Sequence, residues 1–391
     1  MADGTDQIDT DRADADTGDS HPTRTHQIDT DRADADTGLA DTVTEHTAVE
    51  RIVVLESFGP PRARSNPYRM QLVAAMPEPV ELRYFSWRRA LTGRYDVFHV
   101  QWPDVVLQGR TPVRTAVRCA LFALVLVRAR LRRTAIVRTL HDLSPYDPLT
   151  ALQRLAIRLL DRWTTLWITL TSATPPPRPA PAVLAPIGHY RDWFAGVPRA
   201  ETVPGRLLHF GLLRRYKGVD VLLAAFAELD DGPGDGPTLR IVGYPQDRET
   251  AAAIERACRA NGRITAVTEY VPDADLVREV TESELVVLPF DRLVNSSSLI
   301  LALSLDRPVL VPSTPITEEV AAEVGPGWVH TYRGALAAAD IRRALDAVRS
   351  APPPAPPDLS RREWDAICRR HATAFARALE LARGRSRTPP K

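Results

Sequence analysis

From residue 51 onward, short runs of β-branched and aliphatic residues alternate with longer stretches of mixed polarity. Arg51–Ser57 (RIVVLES) stops at Gly59-Pro60-Pro61, which predicts a buried first strand followed by a turn. Tyr95–Val100, Thr134–Leu140 and Leu166–Leu170 predict further strands. A second series starts at Arg206, with a strand at Leu207–Phe210 and an apolar helix at Val219–Leu229. It continues with strands at Leu239–Gly243, Ile264–Thr268, Leu285–Pro289 and Pro308–Pro312. Strands that read as continuous apolar runs are buried on both faces, so each series predicts a parallel sheet covered by helices. The expected fold class is α/β, with two Rossmann-like domains facing a cleft. The first would span residues 49–196 and the second 206–350, with a C-terminal helix within 358–384 packing back on the first. The proline tracts Pro175–Pro181 and Ala351–Pro357 read as surface loops.

The start of the chain has a different pattern. Asp6–Gly18 and His26–Gly38 differ at one position in thirteen. Residues 1–48 hold 13 acidic and 3 basic residues, a charge of −10, so a chain of net charge +1 has a body of +11. So few apolar residues cannot offset the cost of ordering, which predicts a disordered acidic tail. The alternating Asp9, Asp11, Asp14 and Asp16 lack the glycine and distant glutamate of an EF-hand loop. The basic body suits an anionic ligand or an anionic membrane surface. No zinc knuckle, RNA-binding signature or basic heptad region supports nucleic acid. Cys119, Cys258 and Cys368 are widely spaced and read as free thiols of a reducing compartment. The acidic N-terminus does not read as a signal peptide, and the longest apolar run, Cys119–Val127, is too short to span a bilayer. The expectation is a cytoplasmic protein, soluble or peripheral at the inner face of the plasma membrane.

Two stretches carry candidate chemistry. In Phe210–Asp220 a strand ends, a turn carries Arg214, Arg215, Lys217 and Gly218, and a helix begins. Free amides and the positive end of the helix dipole attract anions there, and basic side chains make the place fit for a diphosphate. The same residues also fit a solvated basic turn. In the second stretch, Asn295, Ser296, Ser297 and Ser298 follow a strand and open a helix. They can cap that helix, or present hydroxyls and amides to a ligand at the carboxyl end of the sheet.

The stretches FGLLRRYKGVDVLLAAF, LRIVGYPQD, EYVPDADL and LPFDRLVNSSSLILALSLDRPVLVPS, in that order over residues 206–315, resemble glycosyltransferases of the GT-B fold. The likeness is to the large retaining-type family whose donor domain carries a Lys-Gly turn. It implies that Arg214, Lys217 and Gly218 hold the diphosphate of a nucleotide-sugar donor, and that Tyr270, Val271 and Pro272 hold its base. That family usually places two glutamates eight apart around the second loop. The corresponding positions here are Leu293 and Leu301, which points away from a retaining mechanism.

In the first half, SFGPPRARSNPY (57–68), YFSWRRAL (84–91), YDVFHVQWPD (95–104) and LHDLSPYD (140–147) resemble bacterial exopolysaccharide mannosyltransferases. Those enzymes use GDP-mannose and a polyprenyl-diphosphate-linked acceptor and form a β-linkage, which implies inversion. Inversion requires one general base near the acceptor hydroxyl. Asp142 is the first candidate, then His141 and Asp104, all just past predicted strands. Gly59, Asn66, His99, Trp102 and His189 complete the expected acceptor side. No metal or other cofactor is expected, since basic residues and helix dipoles can neutralise the leaving diphosphate. A helix from Thr111 would place Arg114, Arg118, Arg128 and Arg132 on one stripe centred on Leu121 and Val125, fit for an anionic bilayer or for a core helix with solvated ends. The alternatives to a transferase are a non-catalytic GT-B subunit that binds a partner transferase or a glycan, and a sugar-nucleotide epimerase.

Overall fold

The computed structural model describes residues 51–62, 66–141, 149–229, 236–291 and 297–384. The acidic repeats, Asp142, Leu293, Asn295 and Ser296 lie outside the described residues.

The first domain runs β1 (Ile52–Glu56), α1 (Pro67–Ala74), β2 (Val80–Arg83), α2 (Trp87–Thr92), β3 (Val97–Val100), α3 (Pro103–Leu107) and α4 (Pro112–Leu131). It continues through β4 (Ala135–Leu140), α5 (Ala151–Trp163), β5 (Leu166–Thr169) and β6 (Ala182–Leu184). The second runs β7 (Arg206–Phe210), a 3₁₀ turn at Arg215–Lys217, α6 (Val219–Ala227), β8 (Thr238–Val242), α7 (Arg248–Ala260), β9 (Ile264–Val267) and α8 (Asp273–Glu282). Then come β10 (Leu285–Val287), α9 (Ser297–Ser304), β11 (Val309–Pro312), α10 (Pro315–Val324), β12 (Val329–Tyr332), α11 (Ala338–Ser350) and finally α12 (Trp364–Ala382).

Among the described residues the strands form two parallel six-stranded sheets, ordered β2-β1-β3-β4-β5-β6 and β12-β11-β10-β7-β8-β9. The order reverses between β1 and β3 in one sheet and between β7 and β10 in the other. Open α/β sheets place their ligand crevices beyond the carboxyl ends of strands at such points. The strands β2, β6 and β12, absent from the sequence reading, are all edge strands. They are only partly buried, so they carry no run of apolar residues to announce them.

Side chains alternate across each sheet as strand geometry requires. In the first, Val54, Val97 and Val137 face one core, shared with α1 and α12, while Leu55, Phe98 and Ile136 face another, shared with α4 and α5. Helix α12 lies against β1 and β3–β6. Its start is fixed to the segment that leaves the first domain, because Trp364 Nε1 donates to the His189 carbonyl at 2.8 Å. Two non-glycine residues hold left-handed backbone just past helix ends, Arg133 after α4 and Asp306 after α9, both with φ 55. For an L-residue that costs about 1–2 kcal/mol. Asp306 has a visible reason to be there, as it pairs with Arg199 at 2.6 Å and Arg191 at 3.4 Å.

Helix α4 corrects the expected arginine stripe. Arg118 turns back to the Val106 carbonyl at 2.9 Å, Arg128 bonds the Gly93 carbonyl and covers Tyr95, and Val125 is fully buried. The face left to solvent is apolar instead: Val113, Val117, Leu124, Val127 and Leu131, at helical spacing. Periodicity located the helix but could not tell which arginines fold back onto neighbouring carbonyls.

Phe375 on α12 is fully buried against His99 and the first sheet. Phe375→Ala should lower unfolding stability by about 3–5 kcal/mol in urea denaturation. A loss under about 1 kcal/mol would mean that α12 is not part of this core.

Candidate active site

The donor side is built where β7 ends. Gly218 has φ 67, and a Cβ there would run into the Pro289 carbonyl oxygen, so glycine alone lets the turn pack beneath β10 and start α6. The turn carries Lys217 inward. Its Nζ lies 2.8 Å, and Ser298 Oγ 3.3 Å, from where a Cβ on Gly211 would stand, so ammonium and hydroxyl converge over the end of β7. Ser297 and Ser298 open α9, the former exposed and the latter buried. Lys217 is 8% exposed, and its ammonium makes no hydrogen bond or ion pair among the described residues. Its one recorded contact of this kind is with the Phe290 ring, 5.1 Å from Nζ. Burial, with Arg214 adding to it, lowers its pKa to about 8. A buried cation without a counter-charge, at a helix start, fits an anionic ligand. Arg214 is half-buried beside it, while Arg215 is exposed and engaged by Glu249 at 2.6 Å.

Below the turn, His209 is fully buried and pairs through Nδ1 with the Val287 carbonyl at 2.9 Å. Nδ1 must therefore carry the proton, and Nε2, without a partner among the described residues, keeps the lone pair. Burial first, then the Lys217 charge, brings this imidazole down to about pKa 4, against the pull of its backbone bond. At the rim, Tyr270 is 64% exposed and Tyr244 56%, while Pro272 caps α8. Tyr244 follows β8 and was not anticipated; an aromatic one residue past Gly243 was the available signal. Leu301 is buried in the core, so the position of a family glutamate here serves packing.

The first domain holds a polar chain under its own crevice. Glu56, fully buried at the end of β1, contacts His99 Nδ1 at 2.8 Å and accepts from Gln101 Nε2 at 3.3 Å. Gln101 Oε1 lies 3.1 Å from His141 Nε2. A carboxylate only accepts, so the amide nitrogen of Gln101 faces it and the amide oxygen must receive a proton from His141 Nε2. The same carboxylate thus fixes Nδ1–H on His99 and, through Gln101, Nε2–H on His141. His141 stacks on Trp102 at 4.0 Å and meets Tyr68 edge-on at 5.2 Å. Burial, then His99, His371 and Arg69, keeps its pKa well below the usual value.

Several expected acceptor-side residues therefore have other work. His99 is fully buried, held also by Thr139 at 2.7 Å, and is corrected from site residue to core support. His141, the second base candidate, is buried with its Nε2 held by Gln101 and its ring against Trp102 and Tyr68. Trp102 has its ring stacked on His141 with the Arg69 guanidinium 5.3 Å from its centroid, so protein groups hold it where a sugar was expected. Asn66 caps α1 by accepting from the Tyr68 amide at 2.9 Å. Gly59 is exposed after β1, with open space where a side chain would go. His189 is buried and bonds Glu363 at 3.0 Å, clamping the linker to the start of α12. Asp104 sits half-buried in the first turn of α3; burial lowers the Arg138 pKa to about 10, and the Asp104 charge opposes that fall. Glu56 and Gln101 were missed because an acid ending a strand and an unremarkable Gln carry no sequence signal.

The Lys217 shift has a pH consequence. Its folded pKa is lowered, so the ammonium is present below about pH 8 and is lost as pH rises through that value. GDP affinity, followed by calorimetry, should fall as pH rises through about 8 and lose this dependence in Lys217→Ala. A flat profile in the wild type would remove Lys217 from the anion site.

A family model described as glycosyl transferases group 1 matches residues 204–347, which contain the whole donor side. Two relatives from Xanthomonas campestris pv. campestris, both named GDP-mannose:glycolipid 4-beta-D-mannosyltransferase, are 44% identical over 337 residues, covering 86% of this chain and 95% of theirs. Among solved structures, Anabaena HepE in complex with UDP-glucose covers 85% of this chain and 98% of its own, at TM-score 0.53 and 13% identity. The E. coli trehalose-6-phosphate structure bound with UDP-2-fluoro glucose covers 85% and 97%, at TM-score 0.52 and 9% identity. At such identities the two structures speak for the fold alone. The extent of the Xanthomonas match and the group 1 model together show the family: the chain is a glycosyltransferase of group 1 and belongs with the mannosyltransferases of Xanthomonas.

Proposed function

We propose that the chain moves a mannosyl group from GDP-mannose to a lipid-linked glycan, with inversion at the anomeric carbon. The observation that carries this is the buried ammonium of Lys217 over β7, without an ionic partner among the described residues, in a chain 44% identical to proteins named for that donor and a glycolipid. The acceptor hydroxyl attacks the anomeric carbon, its proton passes to a base, and the bond to the diphosphate oxygen breaks. GDP leaves as an anion met by Lys217, Arg214 and the start of α9, so the reading calls for no metal. The base we assign is Asp142, next after the fixed His141. The nucleobase lies by Tyr270, Val271 and Pro272, and a polyprenyl diphosphate is the carrier of the acceptor.

The experiment is calorimetric titration of GDP, GDP-mannose, UDP and UDP-glucose. Guanine nucleotides should bind selectively and bind at least about tenfold more weakly to Lys217→Ala. Asp142→Asn should leave binding near wild type and lower turnover at least about a hundredfold. Selective UDP binding would discard mannose, and binding of no nucleotide would favour a non-catalytic subunit.

We also infer that the chain sits peripherally on the inner face of the plasma membrane. No described helix is long and apolar enough to cross a bilayer. The solvent face of α4, with Leu131 79% and Val113 73% exposed, continues onto Leu152 and Leu155 of α5, and Arg114 and Arg132 stand exposed at its two ends. An apolar face bordered by arginines suits the boundary between head groups and acyl chains. Leu124→Ser with Leu131→Ser should reduce co-sedimentation with phosphatidylcholine–phosphatidylglycerol vesicles about tenfold or more. Unchanged sedimentation would refute this face as the contact.

A further inference from the structure

At the opposite edge of the first sheet from the His141 crevice, an open cavity of about 890 Å³ is lined by Thr134, Thr164 and Thr165 at the amino ends of β4 and β5, and by the last turns of α4, α5 and α12. Four arginines reach it: Arg130 and Arg133 from the end of α4, Arg158 and Arg162 from α5. All four are exposed, and none makes a side-chain hydrogen bond or ion pair among the described residues. The one carboxylate lining the cavity, Asp161, is engaged by Arg138.

Basic residues at a helix end can simply offset the partial negative charge of its carbonyls. That explanation is too small here. A helix end carries about half a unit of charge. The α5 carbonyls of Asp161 and Arg162 already receive Arg178, which also lines the cavity. Four further guanidinium groups face what is left, the ends of α4 and α12, which together carry about one unit of charge.

Backbone conformation gives a second, independent sign. Arg133 occupies the left-handed position after α4, where glycine is the unstrained residue. The other non-glycine residue in that conformation, Asp306, is explained by its two ion pairs. Arg133 has no such partner, and its side chain lines the cavity. A strained position filled by an unpaired charge fits a ligand that supplies the missing partner.

We propose that this cavity is a second anion site, separate from the donor turn, which takes a phosphate-bearing polyanion of diphosphate size. Guanidinium groups from two helices match phosphate oxygens in charge and in hydrogen-bond geometry. The anion is either free in solution or the head group of an anionic lipid. Leu131 and Leu381, both exposed beside the cavity, would meet the acyl region in the second case.

Two arms separate the sources. Calorimetric titration of inorganic pyrophosphate, with GDP in excess to occupy the donor turn, reads the soluble ligand. Co-sedimentation with phosphatidylcholine vesicles, with and without phosphatidylglycerol, reads the head group. Arg133→Gly removes the charge and relaxes the backbone, so folding is not at risk. Arg158→Gln with Arg162→Gln strips the opposite wall. Both variants should bind at least about fivefold more weakly per arginine removed in one arm or the other, with GDP binding unchanged. Loss in the pyrophosphate arm identifies a soluble anion, and loss of only the phosphatidylglycerol-dependent part identifies a lipid. Because Leu124 and Leu131 can be varied alone, failure of the membrane reading is seen separately. If GDP does not bind, pyrophosphate heat lost on Arg133→Gly still reads the cavity. Variants matching wild type in both arms would overturn the proposal.

Discussion

One apolar cluster runs through both sheets, and the arrangement of both crevices depends on it. It starts on the first sheet at Val54, Val97 and Val137, passes through Ile187, Tyr190 and Phe194 of the linker, and reaches Leu208 and Val286 of the second sheet and Leu299–Leu305 around α9. The chain crosses twice to complete it, since α12 returns Ile367, Ala374 and Phe375 to the sheet where the chain began. Polar ties fix the crossing. Arg362 bonds the Ile187 carbonyl at 3.1 Å and Glu323 of α10 at 2.6 Å, and the Tyr190 amide bonds Ser304 at 2.9 Å. The end of α9 is therefore anchored by the linker while its start, at Ser297 and Ser298, stands over the donor turn. The two anchored ends belong to one helix of only eight residues.

With the apolar frame closed, each buried charge has to be met or left unmet. Glu56 is met twice, and through it two histidines are held in opposite tautomers. That fixes the floor under the first crevice. Lys217 is the reverse case, a buried cation that the described protein groups do not neutralise. An unmet buried charge costs more than a satisfied one, so this arrangement persists where a ligand relieves it. The buried polar groups of the two crevices thus differ: those around Glu56 are partnered within the protein, and Lys217 is not partnered among the described residues.

The apolar pattern was enough to locate the buried central strands and both series of βα units, because central parallel strands must be apolar on both faces. It could not find β2, β6 or β12, whose exposed edges relax that demand. The basic turn could be located because its pattern is local: Arg214, Lys217 and Gly218 lie within five residues, and the glycine is required by the approach to Pro289. The acceptor side was not, because its contacts are long-range. His99, Trp102 and His189 are polar or aromatic residues after strands, which is what a site residue looks like in one dimension. Their partners, Glu56, Arg69 and Glu363, lie 33 to 174 positions away, and only the fold reveals that each is already engaged. The arginine stripe failed for the same reason, since the carbonyls that take Arg118 and Arg128 lie 12 and 35 residues away.

The replacement of an acid by Leu301 fits this division of charge. A carboxylate at that point of α9 would sit in the core beside Leu299, Ile300 and Leu303, where an unpaired anion is costly. With leucine there, that position adds no buried carboxylate to α9, the helix whose start faces Lys217. An inverting displacement needs a base near the acceptor hydroxyl. It needs no protein nucleophile beneath the sugar, so the core at Leu301 is free to be filled with hydrocarbon.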